Sequence, residues 1–150
     1  MLIRDFCTKN VVTASEEETL FDAAKKMWEG DVGTVVIIDE ERVPIGIITD
    51  RDVAMKGVAL DDPTWAPLKE TMAHDIIVLH QDRDLSEAIQ IMSEQGIRRI
   101  PIVDDDGKLA GILSLDDVMM VFGQGLSQLA GTVAYGLCAP PGKKTGAGKR

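Results

Sequence analysis

The sequence predicts a mixed α/β (α+β) fold, built from two tandem copies of one strand-helix-strand-strand-helix unit packed about a pseudo-twofold axis. Three observations carry this expectation. Sliding the chain against itself by 65 residues aligns 3–55 with 68–120 without a gap, and eleven of the 53 pairs are identical, where ordinary composition gives about three. In each copy, a stretch with apolar residues at helical spacing is followed by two short, wholly apolar runs around a polar turn. A unit of about fifty residues leaves one face of its sheet uncovered, so the copies should bury that surface on each other.

Each copy opens on a short apolar strand, Val11-Val12-Thr13 or Ile76-Ile77-Val78-Leu79. The helix that follows places Leu20, Ala23, Ala24 and Met27, or Leu85, Ala88, Ile89 and Met92, at i, i+3, i+4 and i+7. Ser15 with Glu18 is expected to cap the first of these helices, and His80 and Arg83 replace them in the second. Val35-Val36-Ile37-Ile38 and Ile45-Gly46-Ile47-Ile48 read as adjacent buried strands joined at 39–42; Ile100-Pro101-Ile102-Val103 and Ala110-Gly111-Ile112-Leu113 repeat this around 104–107. A second helix begins near Asp50 or Leu115. The units thus span 3–56 and 68–122, joined by a Gly, Asp and Pro-rich linker at 57–67. Leu126, Leu129, Ala130, Val133 and Leu137 predict a docked but weak terminal helix over 123–138, broken by Gly131 and Gly136, and 139–150 reads as a flexible basic tail.

Sixteen basic against 25 acidic residues give a net charge of −9, which repels phosphate backbones and anionic lipid, so neither nucleic acid nor membrane is an expected partner. No apolar run approaches the roughly 20 residues of a membrane span, and Met1-Leu2-Ile3-Arg4-Asp5 lacks a signal-peptide stretch; the expected compartment is the cytoplasm. Cys7 and Cys138 form no zinc pattern and no disulfide framework. Lys143, Lys144, Lys149 and Arg150 read as solvated, and the Gly-Ala-Gly-Lys among them has neither the earlier glycine nor the preceding strand of a phosphate loop.

Chemistry concentrates where a strand meets a helix, in Gly46-Ile47-Ile48-Thr49-Asp50-Arg51-Asp52 and Gly111-Ile112-Leu113-Ser114-Leu115-Asp116-Asp117. A hydroxyl followed three residues later by an acid is a capping box, which supports a helix start without any ligand. The same corner also suits a nucleotide. A helix N-terminus offers N–H groups to phosphate, with Thr49 or Ser114 adding a hydroxyl. Asp52 or Asp117 would accept from the two hydroxyls of a ribose, and Ile47 or Ile112 would flank a base. Both readings stand open on the residues alone.

These two motifs, with Arg98-Arg99-Ile100-Pro101-Ile102-Val103-Asp104 before the second strand pair, resemble the cystathionine-β-synthase (CBS) domain, and two copies in tandem resemble a Bateman module. The resemblance covers 3–122. It implies clefts between the repeats for an adenosine compound such as AMP, ADP, ATP, NAD or S-adenosylmethionine, bound as a ligand with no cofactor required, and dimerisation through helices into a disc. It assigns Thr49 and Asp52 to one cleft and Ser114 and Asp117 to the other. The base-flanking positions it implies are Val12, Val32 and Gly33, and Ile77, Ile97 and Arg98.

Arg98-Arg99 stands opposite Gly33-Thr34 in the repeat, so one cleft should favour phosphates more than the other. The alternative is that the two arginines neutralise Asp104, Asp105 and Asp106. His74 and His80 have no partner at metal-ligand spacing, and the acidic turns offer Mg²⁺ only a weak attraction. The sequence holds no nucleophile with its base, so the expected function is an adenine-nucleotide sensor that signals by conformation or partner binding, not an enzyme. The alternative is a structural interaction module with empty clefts.

Overall fold

The computed structural model describes residues 1–59 and 65–138. The middle of the linker, the tail 139–150 with its four basic residues, and the side chains at 59 and 135–138, Cys138 included, lie outside the described residues. A 3₁₀ turn, Ile3–Asp5, precedes β1 (Thr13–Ala14), α1 (Leu20–Gly30), β2 (Thr34–Ile38) and β3 (Pro44–Thr49). The helix after β3 is α over Asp50–Asp52 (α2) and widens into π turns over Val53–Ala59. The second unit repeats the order as α3 (Leu68–Thr71), β4 (Leu79–His80), α4 (Leu85–Gln95), β5 (Arg99–Val103), β6 (Leu109–Ser114) and α5 (Leu115–Cys138).

The two three-stranded sheets are copies of each other, ordered β1-β2-β3 and β4-β5-β6, with a parallel first pair and an antiparallel second. The expected apolar runs supply β2, β3, β5 and β6. The opening strands sit later than expected: Val12 gives the ladder only its carbonyl, which accepts from the Val36 N–H at 3.1 Å. The tight turns rest on the identical pair Asp39 and Asp104. Asp39 Oδ1 accepts from the Glu41 and Val43 N–H groups, and Asp104 Oδ1 from those of Asp106 and Lys108.

The expected caps are displaced. Thr19, paired with Asp22 in a capping box, starts α1, and Asp84 starts α4. Ser15 and Glu18 close the preceding turn at 2.7 Å, while His80 bonds Asp105 and Arg83 approaches Glu87. The cap stands directly before the first periodic apolar residue, Leu20 or Leu85, one turn later than expected.

Packing between the units follows from an exchange at their opening turns. Ile3 and Cys7 lie in the core formed by Leu79, Leu85, Ala88, Met92, Ile100, Ile102, Leu113 and Val118. Leu68 and Met72, their counterparts 65 residues on, lie in the core of the first unit with Leu20, Ala23, Met27, Val35, Ile37 and Ile48. The backbone repeats the exchange: Ile3 N–H donates to Arg83 O at 3.0 Å and Leu68 N–H to Glu18 O at 2.7 Å. Thr8 bridges to Ile112 on β6, and Ala73 to Ile47 on β3. Each unit therefore closes its core with the first turn of the other.

The terminal helix differs from expectation. α5 runs unbroken through Gly131 and Gly136. Val118 and Val121 pack on the second core, but Leu126, Leu129 and Val133 are exposed. Their periodicity marks a helix face that no element among the described residues covers. Among the described residues, no helix is long and apolar enough to cross a membrane.

Candidate ligand clefts

β3 and β6 each deliver a hydroxyl to the start of the next helix, and the geometry there is the same twice. Thr49 N–H and Oγ1–H both donate to Asp52 Oδ2, at 2.8 and 2.7 Å, while the Asp52 N–H donates back to Thr49 Oγ1 at 3.2 Å. Ser114 and Asp117 repeat this at 2.8, 2.5 and 3.1 Å. The capping box expected as the structural reading is thus present in both units. It uses Oδ2 alone, and the Oδ1 of each half-buried aspartate is left to accept further donors. The Asp50 N–H donates to Gly33 O at 3.1 Å and the Leu115 N–H to Arg98 O at 2.8 Å, which ties each helix start to the segment entering β2 or β5.

These corners open into two clefts, each shared between units. Cleft I joins Val12, Val32 and Gly33 of the first unit to Ile112, Ser114 and Asp117 of the second. Cleft II joins Ile47, Thr49 and Asp52 to Ile97 and Arg98. Arg99 lines both. Of the expected lining residues, Ile77 alone is in neither cleft: it packs against the second core.

Several lining residues were beyond the reach of sequence motifs. Thr8 and Asn10 reach cleft I because the opening turns exchange. Arg51 lines cleft II, and its counterpart Asp116 lines cleft I; both are variable positions inside the seven-residue motif. Thr34 also lines cleft I; it is 7% exposed, and its Oγ1 is the buried side-chain polar atom with no partner among the described residues. Arg98 does not neutralise the acidic turn. Its Nη2 stands 3.8 Å from Asp116 Oδ1, with both side chains well exposed, so the pair holds little energy. Gly33 is where two charged side chains converge. A Cβ there would meet Asp50 Oδ2 at 3.0 Å and Arg99 Nη2 at 3.4 Å.

Away from the clefts, His80, Asp82 and Asp105 bring three potential metal-ligand atoms together. His80 Nε2 already lies 2.9 Å from Asp105, and Asp82 Oδ1 accepts from Arg4 at 2.8 Å.

A CBS domain model matches twice, over 3–58 and 68–123. The chain belongs to the CBS domain family. Among relatives of this CBS pair, protein MK0525 of Methanopyrus kandleri is 39% identical over 120 residues, covering 79% of this chain and 61% of that protein, so the match spans under two thirds of that relative. The CBS domain-containing protein YhcV of Bacillus subtilis is 34% identical over 116 residues, 77% of this chain and 81% of that one. Among solved structures, the CBS domain pair of protein MJ0100, in complex with 5′-methylthioadenosine and S-adenosyl-L-methionine, superposes with a TM-score of 0.76 at 30% identity, covering 83% of this chain and 98% of that one.

Proposed function

We propose that this CBS pair is a regulatory module that binds adenosine-containing small molecules in clefts I and II and signals through a change of shape or of partner binding. It acts as a binding module in the cytoplasm and catalyses no reaction. The observation that carries this is the doubled corner, where an aspartate already fixed by its capping box lines a cleft and keeps a second carboxylate oxygen outside that box. Such an oxygen is preorganised to accept from a ribose hydroxyl, because its rotamer is set before the ligand arrives. The similarity to MJ0100, which holds two adenosine compounds, supports the ligand class. Exposed Phe21 and Trp28 on α1, with Met119 and Met120 on α5, support a homodimer or a regulated partner on the helical face.

Ligand binding is tested by thermal unfolding with AMP, ADP, ATP, NAD, S-adenosylmethionine and 5′-methylthioadenosine. A ligand at 100 times its dissociation constant adds about 2.7 kcal/mol and raises the midpoint measurably. Asp52→Asn and Asp117→Asn keep an oxygen for the cap but turn an amide donor toward the ligand. Each should weaken binding at its own cleft about tenfold or more while the unliganded midpoint stays close to the parent's. A midpoint that none of the six compounds moves sinks this reading.

A further inference from the structure

We infer that the two clefts sort adenosine compounds by charge: cleft II takes a phosphorylated one, and cleft I takes one whose 5′ substituent carries no phosphate. The inference rests on the adenosine reading above and names the ligand class of each site. Cleft II is lined by three guanidinium groups, Arg51, Arg98 and Arg99, against the carboxylates of Asp50 and Asp52. Cleft I is lined by Asp116 and Asp117 with Arg99 as its one lining arginine, and the exposed Arg98 approaches Asp116 no closer than 3.8 Å. The difference is made at two equivalent places. Arg51 in one copy aligns with Asp116 in the other, and Arg98 aligns with Gly33. Both positions stand beside the helix start, where a 5′ substituent would lie if the ribose sits on the aspartate. Three fork-shaped cations suit phosphate oxygens. Two carboxylates repel them and suit a neutral or cationic group.

Size and polarity agree with the charges. Cleft II offers about 570 Å³, cleft I about 180 Å³. Cleft I also holds the buried, unpartnered Thr34 hydroxyl, whose place in the other unit is taken by Arg99. A buried hydroxyl without a partner is costly, and a ligand seated in cleft I would supply one.

Isothermal titration of the full chain with ADP and with 5′-methylthioadenosine tests the sorting. One of each should bind per chain, together, with neither changing the other's affinity by more than about threefold. Arg51→Asp should weaken ADP about tenfold or more and leave 5′-methylthioadenosine within about threefold. Asp116→Arg should raise the ADP stoichiometry from one to two. Thr34→Val removes the unpartnered hydroxyl, so it should leave the unfolding midpoint equal or higher while weakening 5′-methylthioadenosine about fivefold or more. Competition between ADP and 5′-methylthioadenosine for one cleft, or charge reversals that change neither stoichiometry nor affinity, would overturn the sorting and leave the adenosine reading intact. If neither compound binds, the sorting is likewise overturned, and the six-compound melting series decides separately whether the adenosine reading survives.

Discussion

Gly46 and Gly111 hold equivalent places in β3 and β6, where the exchanged opening turn crosses the sheet, yet they differ in what they would tolerate. A Cβ on Gly111 would stand 2.8 Å from Cys7 Sγ and 3.0 Å from the Thr8 carbonyl oxygen. One on Gly46 would run into the side chain of Met72, a flexible residue that can move. Gly111→Ala should therefore cost about 1–3 kcal/mol in urea unfolding, and Gly46→Ala clearly less. Acid tests another residue. The Thr19 hydroxyl and N–H, with Lys26 and Lys25 adding attraction, hold the Asp22 carboxyl below its usual range. A folded-state value below the unfolded one makes the cap's contribution fully present above about pH 4 and lost as pH falls through the folded value. Thr19→Ala should raise the Asp22 titration toward the ordinary value, as read by carboxyl-carbon NMR, and flatten the acid limb of the stability curve. At this scale the motif residues Thr49, Asp52, Ser114 and Asp117 were legible because their spacing is itself the geometry. Thr34, Thr8 and Asn10 were not, because what brings them to cleft I is a contact between units 65 residues apart in sequence.

At the scale of elements, periodicity located nearly every helix and strand, because each buries one face or, as in β2, lies wholly inside. It failed at the short pieces. The opening turns Ile3–Asp5 and Leu68–Thr71 hold three and four residues, too few to show a period. The repeat also shows how loosely a backbone can bind its sequence. The turn residues Arg42 and Gly107 share a left-handed backbone, with φ of 69° and 77°, although only the glycine adopts it without steric cost. α5 carries the largest departure, since its apolar periodicity predicts a docked helix and the face is exposed among the described residues. Along α5, substitution should thus have unequal effects. Val118→Ala, inside the second core, should cost about 1–3 kcal/mol in thermal or urea unfolding, whereas Leu126→Ala should stay within about 0.5 kcal/mol of the parent.

For the molecule as a whole, the duplication was legible as a gapless alignment, and the exchange of opening turns was not. An alignment of a chain with itself says which residues correspond; it is silent on which copy a residue touches. Fully buried Ile3 and Leu68 each sit in the other unit's core, so half of the chain lacks part of its interior. A fragment ending at residue 62 and one starting at 63 should each lack cooperative unfolding by circular dichroism, while their mixture should recover it. Independent folding of either fragment would show that the exchanged turns are dispensable. The exchange also bears on why the two copies share one chain. A lone unit of this shape would leave a gap in its core that the first turn of a second copy fits. Carrying both copies on one chain makes that pairing intramolecular and independent of concentration.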